Sequence, residues 1–486
     1  MTRLSLRGNV ILSGIQRMFS IIFPLITFPY ISRKLNVDTI GSVNYVQSII
    51  SYFVLIAGLG ISNYAIREGA KLKDDKKKLE QFCAEIFTIN MIATLFAYIL
   101  FILIYILVPS MQEYTPMLFI YSLTIIGTTI GINWLYSIFE DYIYITIRTI
   151  IFQILSLILL FCFVKTDQDG VKYIGLITLS AVGSNILNFI HSKKYIDLRL
   201  TTKINLKKHI KPIMLLFASA IAVSIYINSD VTILGWLKGD YEVGIYSISV
   251  KFYNIIKQII AAMIMVTLPR VSGYLGRNEI EKYTKTLAML YDFLIAFAIP
   301  LVIGIIMVAD LLVVIVAGEK YMESIIPLQI LAVSLFFASL GILTNNAILL
   351  PNRYDKIQFI ATILSAIINI VLNFILIPFL GVKAAALTTM ISELIVFSMQ
   401  IVSFKRNDKN NIFNSIFKLK IKNIISILLG CVLIIIEITL IRHMSINIVT
   451  KLILNIVLSV IIYIVTLIIF KSNGLDFIKG MNIENL

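Results

Sequence analysis

The chain has 486 residues, 59% of them hydrophobic and only 14% charged, with a net charge of +15 and a mean hydropathy of +0.93. Soluble domains run roughly 45–50% apolar and about 25% charged, and one membrane crossing takes about 20 apolar residues. The composition therefore excludes a soluble enzyme, a secreted disulfide domain and a disordered scaffold, and it fits an all-α integral membrane protein with little mass outside the bilayer.

In chain order, the apolar runs predict fourteen transmembrane helices near 9–32, 40–66, 82–108, 116–139, 142–164, 173–191, 212–236, 244–268, 286–309, 325–350, 356–378, 382–403, 422–441 and 448–470. The first run continues past residue 30 without a small-residue cleavage site, so it reads as a span and not a cleavable signal. Lys and Arg set the orientation, because they stay on the cytoplasmic side of bacterial spans. With the N-terminus inside, inner segments hold 30 Lys and Arg and outer segments hold 9. With residues near a span's end counted to the adjoining side, Arg148 among the inner ones, only Arg17, Lys251 and Lys257 fall deep inside spans. The bias predicts a multi-pass protein of the bacterial cytoplasmic membrane with both termini cytoplasmic. It also accounts for the basic charge through topology and anionic lipid headgroups, with no nucleic-acid partner.

Cys83, Cys162 and Cys431 lie far apart in apolar stretches and read as small buried residues. His191, His209 and His443 form no zinc-binding pattern, and no phosphate-binding Gly-rich loop is present. Neither a metal nor another cofactor is expected.

The chain resembles itself at an offset slightly above 200. Gly41 and Arg67 match Gly244 and Arg270, Asn133 to Tyr142 match Asn345 to Tyr354, and Gly170-Val171-Lys172 recurs as Gly381-Val382-Lys383. The expected architecture is two pseudo-symmetric six-helix lobes plus a C-terminal helix pair. Its parts are an N-terminal lobe at 1–191, a basic linker at 192–211, a C-terminal lobe at 212–403, a second linker at 404–421, the extra pair at 422–470 and a tail at 471–486. Paired lobes suggest a transporter that rocks about a site at the membrane midplane.

Polar side chains are expensive in hydrocarbon, so their placement carries the functional signal. At 100° per residue the first span gathers Asn9, Ser13, Gln16, Arg17 and Ser20 on one face, and the second gathers Asn44, Gln47, Ser48 and Ser51. The eighth gathers Ser247, Lys251, Asn254, Lys257 and Gln258, and the eleventh Gln358, Thr362, Ser365, Asn369 and Asn373. The candidate substrate-binding set is Arg17, Lys251, Lys257, Asn44, Ser48, Asn254, Gln258, Asn369 and Asn373. The competing reading of each Ser or Asn is a helix-packing face. A cationic cavity would suit an anionic substrate such as a phosphate or an acidic sugar. Asp230 is placed to lock one state by pairing with Lys251, unless Lys251 is kept for substrate. Glu393 and Glu437 are candidates for binding a coupling ion, H+ or Na+, against the alternative of a paired or snorkelling carboxylate.

Residues 23–35 read FPLITFPYISRKL, followed by Gly41, Asn44-Tyr45 and Arg67-Glu68, and residues 133–148 read NWLYSIFEDYIYITIR. In these segments and in its general span pattern the chain resembles the Wzx-type polysaccharide repeat-unit flippases of the multidrug/oligosaccharidyl-lipid/polysaccharide exporter superfamily. The resemblance implies a substrate, an undecaprenyl-pyrophosphate-linked oligosaccharide, moved from the inner to the outer leaflet by alternating access for surface polysaccharide synthesis. It also implies a monomer working beside polysaccharide assembly proteins, with the extra helix pair offering a groove for the polyprenyl tail. The alternatives are a teichoic-acid or lipid II type flippase, a drug or cation exporter of the same superfamily, and a membrane polysaccharide polymerase. An exporter of cations calls for an acidic cavity, and a polymerase calls for a catalytic outer loop. The outer loops here are short and show no nucleophile–base pair.

Overall fold

The computed structural model describes residues 6–408, 412–417 and 421–472. Every regular element among them is helical. The first stretch contains α1 (Leu6–Lys34), α2 (Val37–Gly58), α3 (Ile61–Ala70), α4 (Lys76–Leu107), α5 (Thr115–Gly131), α6 (Asn133–Phe139), α7 (Tyr142–Phe163), α8 (Gly170–Ser192) and α9 (Leu206–Lys238). It is followed by α10 (Asp240–Gly276), α11 (Ile280–Val316), α12 (Ile325–Thr344), α13 (Asp355–Leu380), α14 (Val382–Asn407), α15 (Ile412–Ile416), α16 (Ile421–Arg442) and α17 (Ile448–Ile469). Among the described residues, thirteen helical segments are long and apolar enough to cross a membrane. The 29-residue α1 adds a fourteenth long helix. The chain is a multi-pass membrane protein.

Three expected spans are not single α-helices. The second breaks at Leu59 and Gly60, both left-handed (φ 45° and 66°), and restarts as α3. The fourth breaks at Ile132 (φ 37°) and restarts as α6. The tenth runs from α12 into a π-turn at Asn345–Leu349. Gly60 takes its positive φ without strain, whereas Leu59 and Ile132 adopt it because neighbouring packing holds them there.

The chain divides into two compact units, Met1–Gly244 and Ile245–Leu486. In the first, α2 packs on α4, α5 and α9, and α5 packs on α8. A buried cluster forms where α3, α4 and α6 meet, with Tyr64, Phe82, Ile86, Trp134 and Tyr136 at its centre. By the repeat, α9 belongs to the second lobe, yet its contacts with α2 and α3 place it in the first unit. Backbones approach most closely where α2 meets the start of α10. A Cβ at Gly41 would strike the Asp240 carbonyl and the Gly244 amide, and one at Gly244 would strike the Val37 carbonyl. The two glycines are the positions that the repeat makes equivalent.

In the second unit, α14 lies between α12 and α13. A second buried cluster joins Ile260 and Ile264 of α10 to Tyr283, Leu290 and Tyr291 of α11 and Leu343 of α12. The extra pair, α16 and α17, packs on itself and on α11, and Tyr463 Oη donates to the Ala296 carbonyl at 2.5 Å. Large apolar side chains remain exposed along the spans, Phe379 by 83% and Leu107 by 67%. In water such a surface would aggregate, whereas hydrocarbon covers it without penalty.

Candidate functional site

The polar face predicted for the eighth span lies on α10. Lys251, Asn254, Lys257 and Gln258 follow helical spacing, so they share one side of the helix. Lys251 and Asn254 are half-buried, Gln258 is exposed, and the Lys257 side chain keeps 27% of its surface accessible. The N-terminal part of α10 is pinned by Ser249, which donates to the Ser324 carbonyl at 2.9 Å, while Ser324 donates to the Ile245 carbonyl at 2.7 Å. Its C-terminal part is held by the packing of Ile260, Ile264 and Val271.

Midway between these anchors Lys257 meets Glu393 of α14. Lys257 Nζ donates to Glu393 Oε1 at 2.5 Å and to Tyr253 Oη at 3.1 Å, and Tyr253 Oη donates to the same carboxylate oxygen at 2.7 Å. Glu393 is 7% exposed and Tyr253 6%. The charge of Lys257 is therefore neutralised where the sequence suggested a lone cation. Glu393, a candidate for ion coupling or for a paired carboxylate, is the partner that does so.

The asparagines of the eleventh span are fully buried in helix packing, not displayed on a wet face. Asn373 Nδ2 donates to Asn369 Oδ1 at 3.0 Å, and Thr388 Oγ1 of α14 donates to Asn373 Oδ1 at 2.6 Å. Nearby, Gln400 Nε2 donates to Gln358 Oε1 at 2.6 Å. This is the helix-gluing role of polar side chains in hydrocarbon, the competing reading for Asn369 and Asn373.

In the first unit, Asn44 Nδ2 donates to the Ile40 carbonyl and Ser48 Oγ to the Tyr45 carbonyl, each at 2.7 Å. Both donors are spent on their own helix. Thr232 Oγ1 of α9 lies 3.1 Å from Ser48 Oγ and from Tyr52 Oη, and Asp230, also on α9, is buried. Arg17 lies on α1, but its side chain falls outside the described residues, as do those of Asn9, Ser13, Gln16 and Ser20. Glu437 of α16 is buried, with Oε2 accepting from Ser459 of α17 at 2.7 Å and Oε1 without a hydrogen-bond partner.

Two clusters carry more than the sequence reading assigned to them. Arg148, counted there as an inner topology marker, is 6% exposed and makes no ion pair among the described residues. Its guanidinium donates to the Ser184 carbonyl at 2.9 Å and to Asn133 Oδ1 at 3.4 Å, and Asn188 donates to Asn133 Oδ1 at 2.8 Å and to the Gly131 carbonyl at 2.6 Å. These bonds hold the helix break at Ile132. The only cue was that Asn133 and Arg148 sit in one quoted motif. Glu85 is buried, 3.0 Å from His209 Nε2, and accepts the Asn205 amide at 3.0 Å. It ties the basic linker and the start of α9 to α4. Cys83 and Cys431 are buried as expected, whereas Cys162 is exposed on α7. Among the described residues no group of three or more His, Cys, Asp or Glu is placed to hold a metal ion.

With this geometry in place, the chain's relatives can be set beside it. Residues 6–275 match the family described as "Polysaccharide biosynthesis protein". The chain belongs to that family. An Escherichia coli K12 protein named "Putative O-antigen transporter" is 26% identical over 414 residues, covering 84% of this chain and 98% of its own. The Staphylococcus aureus "Capsular polysaccharide biosynthesis protein CapF" is 24% identical over 379 residues, 76% of this chain and 91% of its own. Among solved structures, "Lipid II flippase MurJ, inward closed conformation" superposes with a TM-score of 0.75 over 96% of this chain and 99% of that one, at 17% identity. At that identity the likeness defines the fold.

Proposed function

We propose that the chain is a flippase that carries an undecaprenyl-pyrophosphate-linked oligosaccharide repeat unit from the inner to the outer leaflet of the bacterial cytoplasmic membrane. The polar face of α10 would engage the charged head group while the polyprenyl chain stays in lipid. The observation that carries this reading is the pair of intramembrane ammonium groups, Lys251 and Lys257, on one partly accessible face of a membrane-spanning helix. A cation at that depth costs at least about 2.5–3.5 kcal/mol on insertion scales, so such groups usually serve an ion or substrate path. Pyrophosphate and acidic sugars are the anions such a face would accept. Membership of the polysaccharide biosynthesis family and the relatives named for O-antigen transport and capsule synthesis support the choice of cargo. Alternating access, cytoplasmic termini, action as a monomer beside assembly proteins, and coupling to H+ or Na+ form part of the same reading.

The test is genetic. In cells whose own copy is deleted, the wild-type gene restores surface polysaccharide. A variant carrying both Lys251→Ala and Lys257→Ala, at matched protein level in the membrane, gives at least about tenfold less polymer, the scale of one lost charge-assisted contact. Full restoration by that variant would remove the role of α10.

A further inference from the structure

We infer that Glu393 is a built-in stand-in for the substrate's anionic group, holding Lys257 until the substrate displaces it. The inference rests on the flippase reading above and adds a device to it. Lys257 is accessible over about a quarter of its side chain, whereas the carboxylate that neutralises it is almost wholly buried. An incoming phosphate oxygen can therefore approach the ammonium from the open side and compete for it, while Glu393 cannot follow it outward. Tyr253 makes the exchange practicable. Its hydroxyl bonds both Lys257 and Glu393, so Glu393 keeps a donor after Lys257 turns away. That matters because an uncompensated buried carboxylate would otherwise cost several kcal/mol.

The helices flanking α14 carry no Asp, Glu, Lys or Arg from Ile325 to Thr344 on α12, nor from Ile357 to Leu380 on α13. On α10 itself Lys251 lies six residues away, toward the N-terminal end. The anchors of α10 are the Ser249–Ser324 bonds on one side of the pair and the Ile260–Val271 packing on the other. Opening the pair would free the middle of α10 without detaching the helix. Empty, the site is closed on itself and neutral. Loaded, it exchanges an internal anion for a transported one, and release follows when Glu393 retakes Lys257. Glu393 acts through Lys257 and is a positioning residue.

The experiment titrates the purified full-length protein in nanodiscs with undecaprenyl pyrophosphate as the probe. Wild type binds it, and Lys257→Met binds it at least about tenfold more weakly. Glu393→Gln binds it at least about tenfold more tightly, because its competitor has lost its charge. The same variant supports less surface polysaccharide in cells, because release slows. A merely structural role predicts the opposite, since a damaged fold loses affinity and transport together. If Glu393→Gln fails to fold, Tyr253→Phe takes its place. It keeps the ion pair but removes the donor that Glu393 retains after Lys257 leaves, so it weakens binding about two- to fivefold in a protein that melts as wild type does. Unchanged or weaker binding by folded Glu393→Gln, or unchanged or tighter binding by Tyr253→Phe in its place, with wild type binding normally, overturns the stand-in and leaves the flippase intact. No binding by wild type overturns the flippase reading and this inference with it.

Discussion

At Lys257 an ammonium group sits in the middle of a 37-residue helix, and its nearest neighbours are a carboxylate and a phenol. Breaking such a pair by deleting one partner typically costs about 3–5 kcal/mol, whereas deleting both costs far less, because the penalty is the charge left behind. Glu393→Ala alone is therefore expected to lower the melting temperature clearly, and the double variant Lys257→Ala with Glu393→Ala to regain most of that loss. A loss in the double variant equal to the sum of the two single-variant losses would show that the pair is not coupled. The double variant stays inactive in transport even where its stability returns. Sequence placed Lys257 on the right face but not Glu393 beside it, because helical periodicity fixes where a side chain points and says nothing of what stands opposite. The same limit explains Asn369 and Asn373. Their spacing is equally consistent with a wet face and a packed one, and only the partner across the interface, Thr388, shows the packing.

At the scale of elements, apolar runs located the spans because hydrocarbon thickness fixes their length. The breaks inside them were less legible. Gly58-Leu59-Gly60 hints at a stop, but Ile132 carries no such cue. Its left-handed turn is held by Arg148, Asn133 and Asn188, residues drawn from three different helices. The repeat paired Gly41 with Gly244, and the structure gives that pairing a physical cause, since each abuts backbone of the other's segment. Gly41→Val therefore forces α2 away from the start of α10 and is expected to cost about 1–3 kcal/mol or more, with surface polysaccharide falling in step. Gly304→Val, at an intramembrane position with nothing within 4 Å, is the control and leaves stability near wild type. Comparable melting temperatures for the two variants would contradict the close crossing. The assignment of α9 to the first unit was beyond sequence reasoning, because the repeat counts helices without saying which neighbours they choose.

For the whole molecule, composition alone separated a polytopic membrane protein from every soluble class, since 59% hydrophobic content over 486 residues has nowhere else to go. Charge asymmetry gives an expected orientation, and family membership supplies a biosynthetic setting. What remains to be measured is translocation itself. The protein is reconstituted into liposomes carrying an undecaprenyl-pyrophosphate-linked oligosaccharide in one leaflet, and its arrival in the other is followed with a membrane-impermeant lectin or glycosidase. The account predicts transfer that depends on the protein and is lost with Lys257→Ala. Leaflet exchange no faster than in protein-free liposomes, from a preparation that is folded and binds undecaprenyl pyrophosphate, would contradict it.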